Sequence, residues 1–518
     1  MEPQPSGGLN CIWHEFLRSY ENSLQLSLFS DMKIFIYLNF ITVKNNFLEH
    51  MERYQIAVIG AGAAGLVVAI GAAMAGKKVL IIDKGPYGGD CTNFGCIPSK
   101  ALIASAKAAF VIKTSQELGL HLNDSTFQSD AALDRVRSLV DEVRSHGDAV
   151  ALEKKGVHTL TGVASFENDH VIKVNVQGQM QSIYSESIVI ATGSSPKVPS
   201  ITGLDHTPFH TNVTIFDLKT IPKTLVIIGG GPIGCELGQA FQRLGAQVSI
   251  IHNKEQLLDK EEAEASNQVA KQFEEEGIKL FLKQNIQRIQ YFNNQFVVAL
   301  NEHKSLEAEQ ILVAVGHQPN LKALNLDAIG IRYTEHGILV DSYGRTNISH
   351  IWAIGDCIGH PFYSHAAEHQ ARAVLSSLLN PFFNHKLDSQ PMPRITFTDP
   401  EVASIGLSEK DAKEKYGTIA TYIVPFSSID RAITTGRTDG FVKIITRKWS
   451  SHILGATLVG EGMSELLSEV STAMYMKIPL RKLANVIHPY PSYSLAIRHA
   501  ADLWLKQTIL PLYKKIFK

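Results

Sequence analysis

The sequence predicts an α/β protein with two Rossmann-like dinucleotide-binding domains followed by a further domain. A G-x-G-x-x-G pattern follows an apolar strand at Gly60, and the same pattern returns at Gly229. The chain of 518 residues is also too long for a single core, since a domain holds roughly 150 residues. We therefore expect several domains, two of which bind a dinucleotide.

The composition is that of an ordinary globular protein, with 45% hydrophobic residues, 19% charged residues and a net charge of -1. There is no basic excess to attract nucleic acid or anionic lipid, so we expect no nucleic-acid partner. Five cysteines in so long a chain do not form a disulfide framework of the secreted kind. We therefore expect a reducing compartment and a cytoplasmic location.

Residues 1–50 are predicted to be an extension that is disordered or not native, with Met51 as the natural start. The longest apolar run there covers residues 34–43, whereas a membrane-spanning helix needs roughly 20 residues. Lys33 precedes this run, but no small-residue cleavage site follows it. A membrane or targeting role is the less favoured alternative, and we expect no membrane span.

Residues 54–83 predict a strand, a glycine turn, an alanine-rich helix and a second strand. Gly60, Gly62 and Gly65 supply a tight turn, close approach of a pyrophosphate to the backbone, and close packing of helix on strand. Asp83 ends the second strand, where a carboxylate accepts a hydrogen bond from a ribose hydroxyl. These features together favour a dinucleotide site over a merely structural turn.

A second unit of this kind begins 169 residues later. Its glycines are Gly229, Gly231 and Gly234. Here the second strand runs into His252, Asn253 and Lys254 instead of an acidic residue. Amide or cationic groups at this point tolerate the 2′-phosphate of NADP, which favours NADPH slightly. The alternative is that they are solvated loop residues and that both nicotinamides bind.

Three further apolar strands run into glycine and proline, within residues 189–203, 311–320 and 351–359. The first two resemble the exits of the two nucleotide domains. These segments supply five candidate cofactor contacts: Thr192, Gly193, Gly316, Gly355 and Asp356. The carboxylate of Asp356 is placed to accept from a polyol hydroxyl, or equally to cap the helix predicted after it.

The segment GGDCTNFGCIPSK, residues 88–100, contains Cys91 and Cys96. Residues five apart in a helix are separated by roughly 7.5 Å along the axis, beyond the roughly 6.8 Å that the Cα atoms of a disulfide allow. Gly88, Gly89 and Gly95, together with Asn93, supply the irregular backbone that lets the sulfurs meet. A helix is predicted to start close to Cys96, where its dipole stabilises a thiolate.

A metal clip, a structural staple and redox chemistry are the alternatives for this cysteine pair. A zinc site needs four ligands, and the sequence has no second pair of closely spaced cysteines, so we expect no metal site. A staple around four intervening residues adds little stability, because the entropic benefit grows with loop length. Redox chemistry is the favoured hypothesis.

The order of these motifs resembles the class I pyridine nucleotide-disulfide oxidoreductases, which include dihydrolipoamide dehydrogenase, glutathione reductase and mercuric reductase. The resemblance covers residues 52–518 and includes the C-x-x-x-x-C-x-P-S-K motif and Glu236 after the second glycine motif. It implies FAD on the first unit and NAD(P)H on the second. It also implies that electrons pass from nicotinamide through flavin to a disulfide of Cys91 and Cys96.

The same resemblance implies roles for individual residues. Cys96 would be the thiolate nearest the flavin, and Cys91 the outer thiol that exchanges with the acceptor. Lys100 and Glu236 fall where the family places an ion pair near the flavin N5. An ammonium group there offsets the negative charge that reduction brings, and the carboxylate keeps the lysine charged.

The domain order also follows from the resemblance. It implies an FAD-binding domain in two parts, residues 51–200 and 322–390, around an NAD(P)-binding domain at residues 201–321. Residues 391–518 would form an α+β dimerisation domain, so we expect a homodimer.

The dimerisation domain of the dehydrogenase and glutathione reductase branches ends in H-P-x-x-x-E, a histidine held by a glutamate that acts as acid and base on the partner's disulfide. Here Tyr490 stands where the histidine should, and Leu495 where the glutamate should. Aligning on His488 instead puts Tyr493 in place of the glutamate. We therefore predict that this motif supplies no dyad. Tyr490 then either reaches the partner's active site or is an ordinary interface aromatic.

A tyrosine at this position, together with the FTDPEVASIG segment, resembles mercuric reductase most. Mercuric reductases deliver metal with additional cysteine pairs, but residues 1–50 hold only Cys11 and the C-terminal tail holds none. We expect a mercuric-reductase-like enzyme that acts on a small-molecule disulfide or soft-metal acceptor. A dihydrolipoamide dehydrogenase or glutathione reductase type is the alternative enzyme. A flavin-bearing redox sensor or partner protein is the alternative of another class.

Overall fold

The computed structural model describes residues 51–122, 127–359, 361–380, 382, 385–387 and 391–516. The predicted extension at residues 1–50 lies outside these residues. The helices are α1 (Ala63–Met74), α2 (Gly89–Asn93), α3 (Cys96–Lys113), α4 (Ala131–Ser145), α5 (Ala149–Lys154), α6 (Pro232–Arg243), α7 (Ala263–Glu275), α8 (Ser364–Leu379), α9 (Glu409–Tyr416), α10 (Asp430–Thr434), α11 (Met463–Tyr475), α12 (Leu480–Leu483), α13 (Leu495–Trp504) and α14 (Leu510–Ile516).

Within the described residues, the strands make up six sheets. They are β1 (Glu52–Ile59), β2 (Val79–Asp83), β3 (Val157–Thr161), β4 (Val163–Phe166), β5 (Val171–Val176), β6 (Gln179–Ile190), β7 (Ser194–Pro196), β8 (Thr224–Ile228), β9 (Gln247–Ile251), β10 (Lys279–Phe281), β11 (Arg288–Phe292), β12 (Gln295–Asn301), β13 (Lys304–Ala308), β14 (Gln310–Val313), β15 (His317–Pro319), β16 (Tyr333–Thr334), β17 (Gly337–Ile338), β18 (Ile351–Ala353), β19 (Arg394–Thr396), β20 (Glu401–Gly406), β21 (Ile419–Pro425), β22 (Phe441–Arg447) and β23 (Ile453–Gly460).

The first sheet has the order β3-β2-β1-β6-β5-β4, and β18 also pairs with β6. Strands β1, β2, β3, β6 and β18 pair in parallel, whereas β4 and β5 extend the sheet in antiparallel fashion. Because β18 joins strands that precede it by some 160 residues or more of chain, this sheet is built from two separated parts of the sequence. The inner stretches of β1, β2, β6 and β18, residues 56–59, 79–82, 188–190 and 351–353, are apolar and buried, as expected for a sheet covered on both faces.

The second unit forms a parallel sheet of order β10-β9-β8-β14, flanked by the antiparallel sheet β11-β12-β13. A third body contains the antiparallel sheet β19-β20-β23-β22-β21, whose buried strands pack against α11 and α13. The predicted fold class, two Rossmann-like units followed by an α+β domain, is confirmed. The residue boundaries between the domains stay predictions.

Helix α6 packs where the three bodies meet. Its apolar face shares a core with α3 and α4, to which Leu102, Val136 and Phe241 belong. Its other face carries Glu236, Gln239 and Arg243 toward the segment after β19. A spacing of three and then four residues places these side chains on one stripe of the helix.

A buried ion-pair network fixes that contact. Arg243 lies 2.6 Å from Glu276 and 2.9 Å from Asp399, and its side chain is 4% exposed. Gln239 donates to the Asp399 carbonyl at 2.7 Å and accepts from the Asp399 amide at 2.7 Å. Although burial opposes ionisation, Arg243 and Arg437 hold the pKa of Asp399 below its usual range.

We expect Arg243→Ala to lower the free energy of unfolding by about 3 kcal/mol or more, because it leaves two buried carboxylates without their shared cation. Lys271→Ala is the control: Lys271 forms exposed pairs with Glu275 and Asp439, and its loss changes stability by less than about 1 kcal/mol. Thermal unfolding of the cofactor-loaded protein measures both. Equal midpoints for Arg243→Ala and wild type would contradict a stabilising network.

Candidate active site

The glycine turn after β1 has the shape that a dinucleotide pyrophosphate requires. Gly60 has a φ of +111°, and a Cβ atom there would lie 2.1 Å from the Ala191 carbonyl oxygen. A Cβ at Gly65 would lie 1.9 Å from the Gly60 carbonyl oxygen. Gly62 caps α1 without any side-chain hydrogen bond, so the first N–H groups of the helix receive no cap from this residue and suit a phosphate group.

The turn after β8 repeats this geometry. Gly229 has a φ of +121°, and its Cβ would lie 2.2 Å from the Ala314 carbonyl oxygen. A Cβ at Gly234 would meet the Gly229 carbonyl oxygen at 2.0 Å, while one at Gly231 would meet no atom within 4 Å. Helix α6 likewise begins without a side-chain cap. Both turns therefore fit the pyrophosphate of a dinucleotide.

The side chains after the second strands hold their own glycine turns. Asp83 accepts from the Ala61 amide at 2.6 Å. His252 takes the equivalent place in the second unit, where its Nδ1 accepts from the Gly230 amide at 3.2 Å. Burial lowers the pKa of His252, so this ring is a neutral acceptor. Of the residues predicted to tolerate a 2′-phosphate, the exposed Lys254 is the one that brings positive charge.

The two predicted domain exits lie side by side. Strands β7 and β15 form an antiparallel ribbon, which follows Thr192 and Gly193 on one side and Gly316 on the other. The hydroxyl of Thr192 donates to the Asn320 carbonyl at 2.9 Å, and the Asn320 amide group donates to the Thr192 carbonyl at 3.0 Å. The chain thus leaves the first nucleotide unit at β7 and returns to it at the neighbouring strand β15.

The proposed capping role of Asp356 is wrong. Helix α8 begins at Ser364, and its N-cap residue is Tyr363. Asp356 instead accepts from the Ser194 hydroxyl at 2.6 Å, at the ribbon just described. The neighbouring Gly355 amide donates to the Gln370 side chain at 2.7 Å. Asp356 therefore lies on the first nucleotide unit, where a polyol contact was predicted.

The backbone breaks between the two cysteines, as their spacing predicted. Cys91 lies in the short helix α2, which ends at Asn93, and Cys96 is the first residue of α3. The buried Asn93 holds the segment in place by donating to the Gly89 carbonyl at 2.8 Å and accepting from Arg144 at 2.6 Å. Both cysteines are free thiols, so the structure describes the reduced pair.

The two thiols differ sharply in acidity. The hydrogen bond between them raises the pKa of Cys91 far above its usual range, and burial adds to this rise. The same hydrogen bond lowers the pKa of Cys96 to about 6, with help from Ser364 and Lys100. The reduced pair therefore carries its negative charge on Cys96 and its proton on Cys91 at neutral pH.

Lys100 and Glu236 form the predicted ion pair, with 2.7 Å between Nζ and Oε2. Glu236 is 6% exposed, and its second oxygen accepts from the Phe397 amide at 2.9 Å. The Lys100 ammonium also lies 4.3 Å from the centre of the Phe397 ring. Four of the predicted site residues, Cys91, Cys96, Lys100 and Glu236, thus belong to one cluster of contacts.

Tyr490 lies apart from this cluster, on the surface of the third body. It is 74% exposed, and its hydroxyl donates to Asp430 at 2.9 Å. This hydrogen bond raises the pKa of Tyr490, so the phenol stays protonated at neutral pH. Leu495 and the half-buried Tyr493 belong to the core of the same body.

His488 has an acidic partner that the C-terminal motif did not reveal. Its Nε2 lies 2.9 Å from Glu469 on α11, and its Nδ1 lies 2.9 Å from the Val486 carbonyl oxygen. A histidine–glutamate pair therefore exists, although neither alignment of the motif predicted one. With 9% exposure and both nitrogens engaged, His488 holds the loop that carries Tyr490 and has no free nitrogen for a substrate.

In the part of the chain that the structure describes, one other group of ligating side chains lies together, formed by Asp169, His170 and His350. The two imidazole rings stack with centres 3.9 Å apart and planes 3° apart. One nitrogen of each ring faces a carbonyl oxygen at 2.8 Å. Because lone pairs of parallel rings point side by side and do not converge, this arrangement favours a stacked pair over a coordination site.

Among the described residues, one helical stretch, Gly89–Lys113, is long and apolar enough to cross a membrane by length and composition. It is the stretch that carries both cysteines. Its buried residues, such as Leu102 and Ala106, pack into the core shared with α6. The helix therefore has a packing role inside the protein that accounts for its apolar character.

Comparison with known proteins agrees with this architecture. Residues 54–371 match the family described as pyridine nucleotide-disulphide oxidoreductase, and residues 392–501 match its dimerisation domain. The chain belongs to this family. It is therefore an NAD(P)H-dependent flavoprotein oxidoreductase, and the resemblance predicted from its motifs is confirmed.

Its relatives within the family carry different names. Mercuric reductase of Lysinibacillus sphaericus is 30% identical over 472 residues, which cover 89% of this chain and 86% of the relative. Dihydrolipoyl dehydrogenase of Haloferax volcanii is 33% identical over 474 residues, which cover 88% and 97%. The HOCl-induced flavoprotein disulfide reductase RclA from Escherichia coli, solved as a Cu(II) complex, is similar with a TM-score of 0.80, 28% identity and coverage of 88% and 100%.

Four contacts of the family site were not predicted from the sequence. Ser364 lies beside the cysteines, Phe397 beside Lys100, Asp430 beside Tyr490 and Glu469 beside His488. Each joins residues that are 19 to 297 positions apart. No local pattern marks them, because a serine at a helix start or a phenylalanine after a strand also occurs for ordinary structural reasons.

Proposed function

We propose that this flavoprotein uses Cys91 and Cys96 to pass electrons from NAD(P)H to a small-molecule disulfide or soft-metal acceptor. The observation that carries the proposal is a pair of adjacent free thiols, of unequal acidity, beside the Lys100–Glu236 ion pair, whose carboxylate is buried. FAD, when bound on the first nucleotide unit, supplies the redox chemistry between the nicotinamide and the cysteine pair.

The cysteine pair cycles between two states. Reduction breaks the Cys91–Cys96 bond with two electrons from NAD(P)H and leaves a thiolate on Cys96 and a thiol on Cys91. Cys91 gives its proton to Cys96 and attacks one sulfur of the acceptor, whose S–S bond breaks. The first product leaves as a thiolate and takes the proton from Cys96. Cys96 then attacks Cys91, which restores the disulfide and releases the second product as a thiolate.

Two groups keep the charge in place during this cycle. Lys100 stabilises negative charge near Cys96, and Glu236 forms an ion pair with Lys100 at 2.7 Å. The Cys96 thiolate is itself the nearest base to Cys91, because the two sulfurs share a hydrogen bond. The pair therefore moves one proton internally and needs outside help only to protonate the product.

Tyr490 is suited to contact the acceptor, whereas its raised pKa makes it too weak an acid to protonate the product. It is exposed and held protonated by Asp430, and it lies in the domain that forms the family's dimer contact. We infer a homodimer in which Tyr490 reaches the partner's cysteine pair, where its hydroxyl turns from Asp430 to donate a hydrogen bond to the acceptor. The alternative is that Tyr490 is an interface aromatic without a chemical role.

A mercuric-reductase-like substrate range fits this chain best. Tyr490 replaces the histidine of the dihydrolipoamide dehydrogenase type, and His488 is buried with both nitrogens engaged. Relatives named mercuric reductase and a structure of RclA solved with Cu(II) also favour soft-metal acceptors. A cytoplasmic location, proposed from the low cysteine content, would keep the pair reduced between turnovers.

The cysteine roles are tested by anaerobic reduction of the FAD-loaded protein with each nicotinamide. The wild type should show a long-wavelength charge-transfer band, because the Cys96 thiolate is proposed to lie beside the flavin. Cys96→Ser should remove the band. Cys91→Ser should keep it and lose turnover with glutathione disulfide, lipoamide and Hg(II) alike.

These two variants are each other's control, since both lose the disulfide but only one loses the thiolate. A band that survives in Cys96→Ser would overturn the assignment. Acceptor-independent binding to a partner, with negligible turnover in the wild type, would favour the redox sensor instead.

Tyr490→Phe should lower turnover with the acceptor by about tenfold or more and leave reduction of FAD by nicotinamide unchanged, because only the acceptor step loses a donor. Tyr475→Phe is the matched control, an exposed tyrosine of the same domain with 62% exposure. Stopped-flow and steady-state rates separate the two steps. An unchanged acceptor rate in Tyr490→Phe would support the interface role.

Nicotinamide preference is proposed to lean toward NADPH through Lys254. Lys254→Glu should lower kcat/KM for NADPH several-fold more than that for NADH, because a carboxylate repels the 2′-phosphate. Lys279→Glu is the control, since Lys279 begins β10 at the end of the sheet opposite the glycine turn. An unchanged ratio of the two kcat/KM values in Lys254→Glu would contradict the proposed preference for NADPH.

A further inference from the structure

Two helices begin close to the sulfur atom of Cys96. Cys96 is the first residue of α3, an 18-residue helix, and Ser364 is the first residue of α8, a 16-residue helix. The Ser364 Oγ lies 3.6 Å from the Cys96 Sγ, within hydrogen-bond distance for sulfur. The positive ends of two helix dipoles and one hydroxyl therefore converge on Cys96.

The other groups that act on Cys96 come from three different elements. Cys91 on α2 donates a hydrogen bond to it, Lys100 on α3 attracts its negative charge, and Glu236 on α6 opposes that charge. His365 follows Ser364 directly, but its Nε2 faces the Pro393 carbonyl oxygen at 2.9 Å. The group of α8 that contacts the Cys96 sulfur is therefore the Ser364 hydroxyl, not the His365 ring.

We propose that Ser364 donates its hydroxyl proton to the Cys96 sulfur and so holds the charge of the reduced pair on Cys96. The inference rests on the proposed redox function of the cysteine pair and adds a positioning residue to it. A neutral hydroxyl stabilises a thiolate without becoming a competing acid, which suits a site whose histidine is buried elsewhere.

The hydroxyl also reaches the second cysteine. Ser364 is a hydrogen-bond partner of Cys91 as well, where it opposes the much larger rise in pKa that Cys96 and burial cause. One hydroxyl between two sulfurs can turn from the thiolate of Cys96 to that of Cys91 as the proton moves between them, because a hydroxyl rotates about its C–O bond. Ser364 would then follow the charge through the exchange step.

Loss of the hydroxyl should raise the pKa of Cys96, because its removal withdraws a donor from the charged form. The Cys96 thiolate forms with a pKa of about 6 in the native protein. Ser364→Ala should move this midpoint upward by about one pH unit, a tenfold smaller ionisation constant, given the strength of hydrogen bonds to charged groups. The thiolate would still dominate well above pH 7 and be lost at a higher pH than in the wild type.

Two measurements follow the thiolate independently. The first is the pH titration of the charge-transfer band in the two-electron-reduced, FAD-loaded protein. The second is the pH dependence of iodoacetamide alkylation at Cys96 in the reduced protein, followed by peptide mass spectrometry, which requires no signal from the flavin. Ser364→Thr keeps the hydroxyl and should retain the native midpoint. Ser364→Gly also removes the hydroxyl and has a smaller side chain than Ser364→Ala. It replaces Ser364→Ala in the experiment if that variant folds poorly.

Ser99→Ala is the matched control. The Ser99 hydroxyl donates to the Cys96 carbonyl at 3.3 Å, so it belongs to the same turn without being the sulfur's partner. Its removal should leave both titrations unchanged. Native midpoints in Ser364→Ala or Ser364→Gly by both measurements would overturn the proposal. A wild type without any charge-transfer band would refute the redox function, whereas the alkylation titration would still decide the role of Ser364.

Discussion

The buried carboxylate of Glu236 is the constraint on which the rest of the site depends. A buried charge is tolerated only when it is paired and hydrogen-bonded. One oxygen of Glu236 meets this need through Lys100 and the other through the Phe397 amide. Since these partners come from the cysteine-bearing helix and from the segment after β19, the carboxylate fixes three separate parts of the fold to each other.

Helix α6, which carries Glu236, also holds the segment after β19 through two further side chains. Gln239 and Arg243 follow Glu236 on one stripe of α6 and hold Asp399 through hydrogen bonds and an ion pair. The segment that places Phe397 over Lys100 is therefore held at both ends. Electrostatic groups at this junction serve structure and chemistry together, because any movement of α6 would separate Lys100 from its counter-charge.

The unequal acidity of the cysteines comes first from the hydrogen bond between them, and the local backbone places the two sulfurs for it. The break before Cys96 puts one sulfur at the start of a long helix and leaves Cys91 in a short preceding turn. Cys96, which has more hydrogen-bond donors around its sulfur, therefore carries the negative charge, and Cys91 keeps the proton. In the proposed cycle this asymmetry lets one cysteine serve as base for the other, which lessens the need for a histidine.

Sequence patterns were sufficient to predict the fold class, the two glycine turns, the break between the cysteines and the pairing of Lys100 with Glu236. These rest on short-range patterns or on a motif order that the family shares. The contact between Ser364 and Cys96 and the contact between Glu469 and His488 are found only in the folded protein. Such contacts join distant parts of the chain, and their distances are set by packing between helices and sheets, which no local spacing encodes.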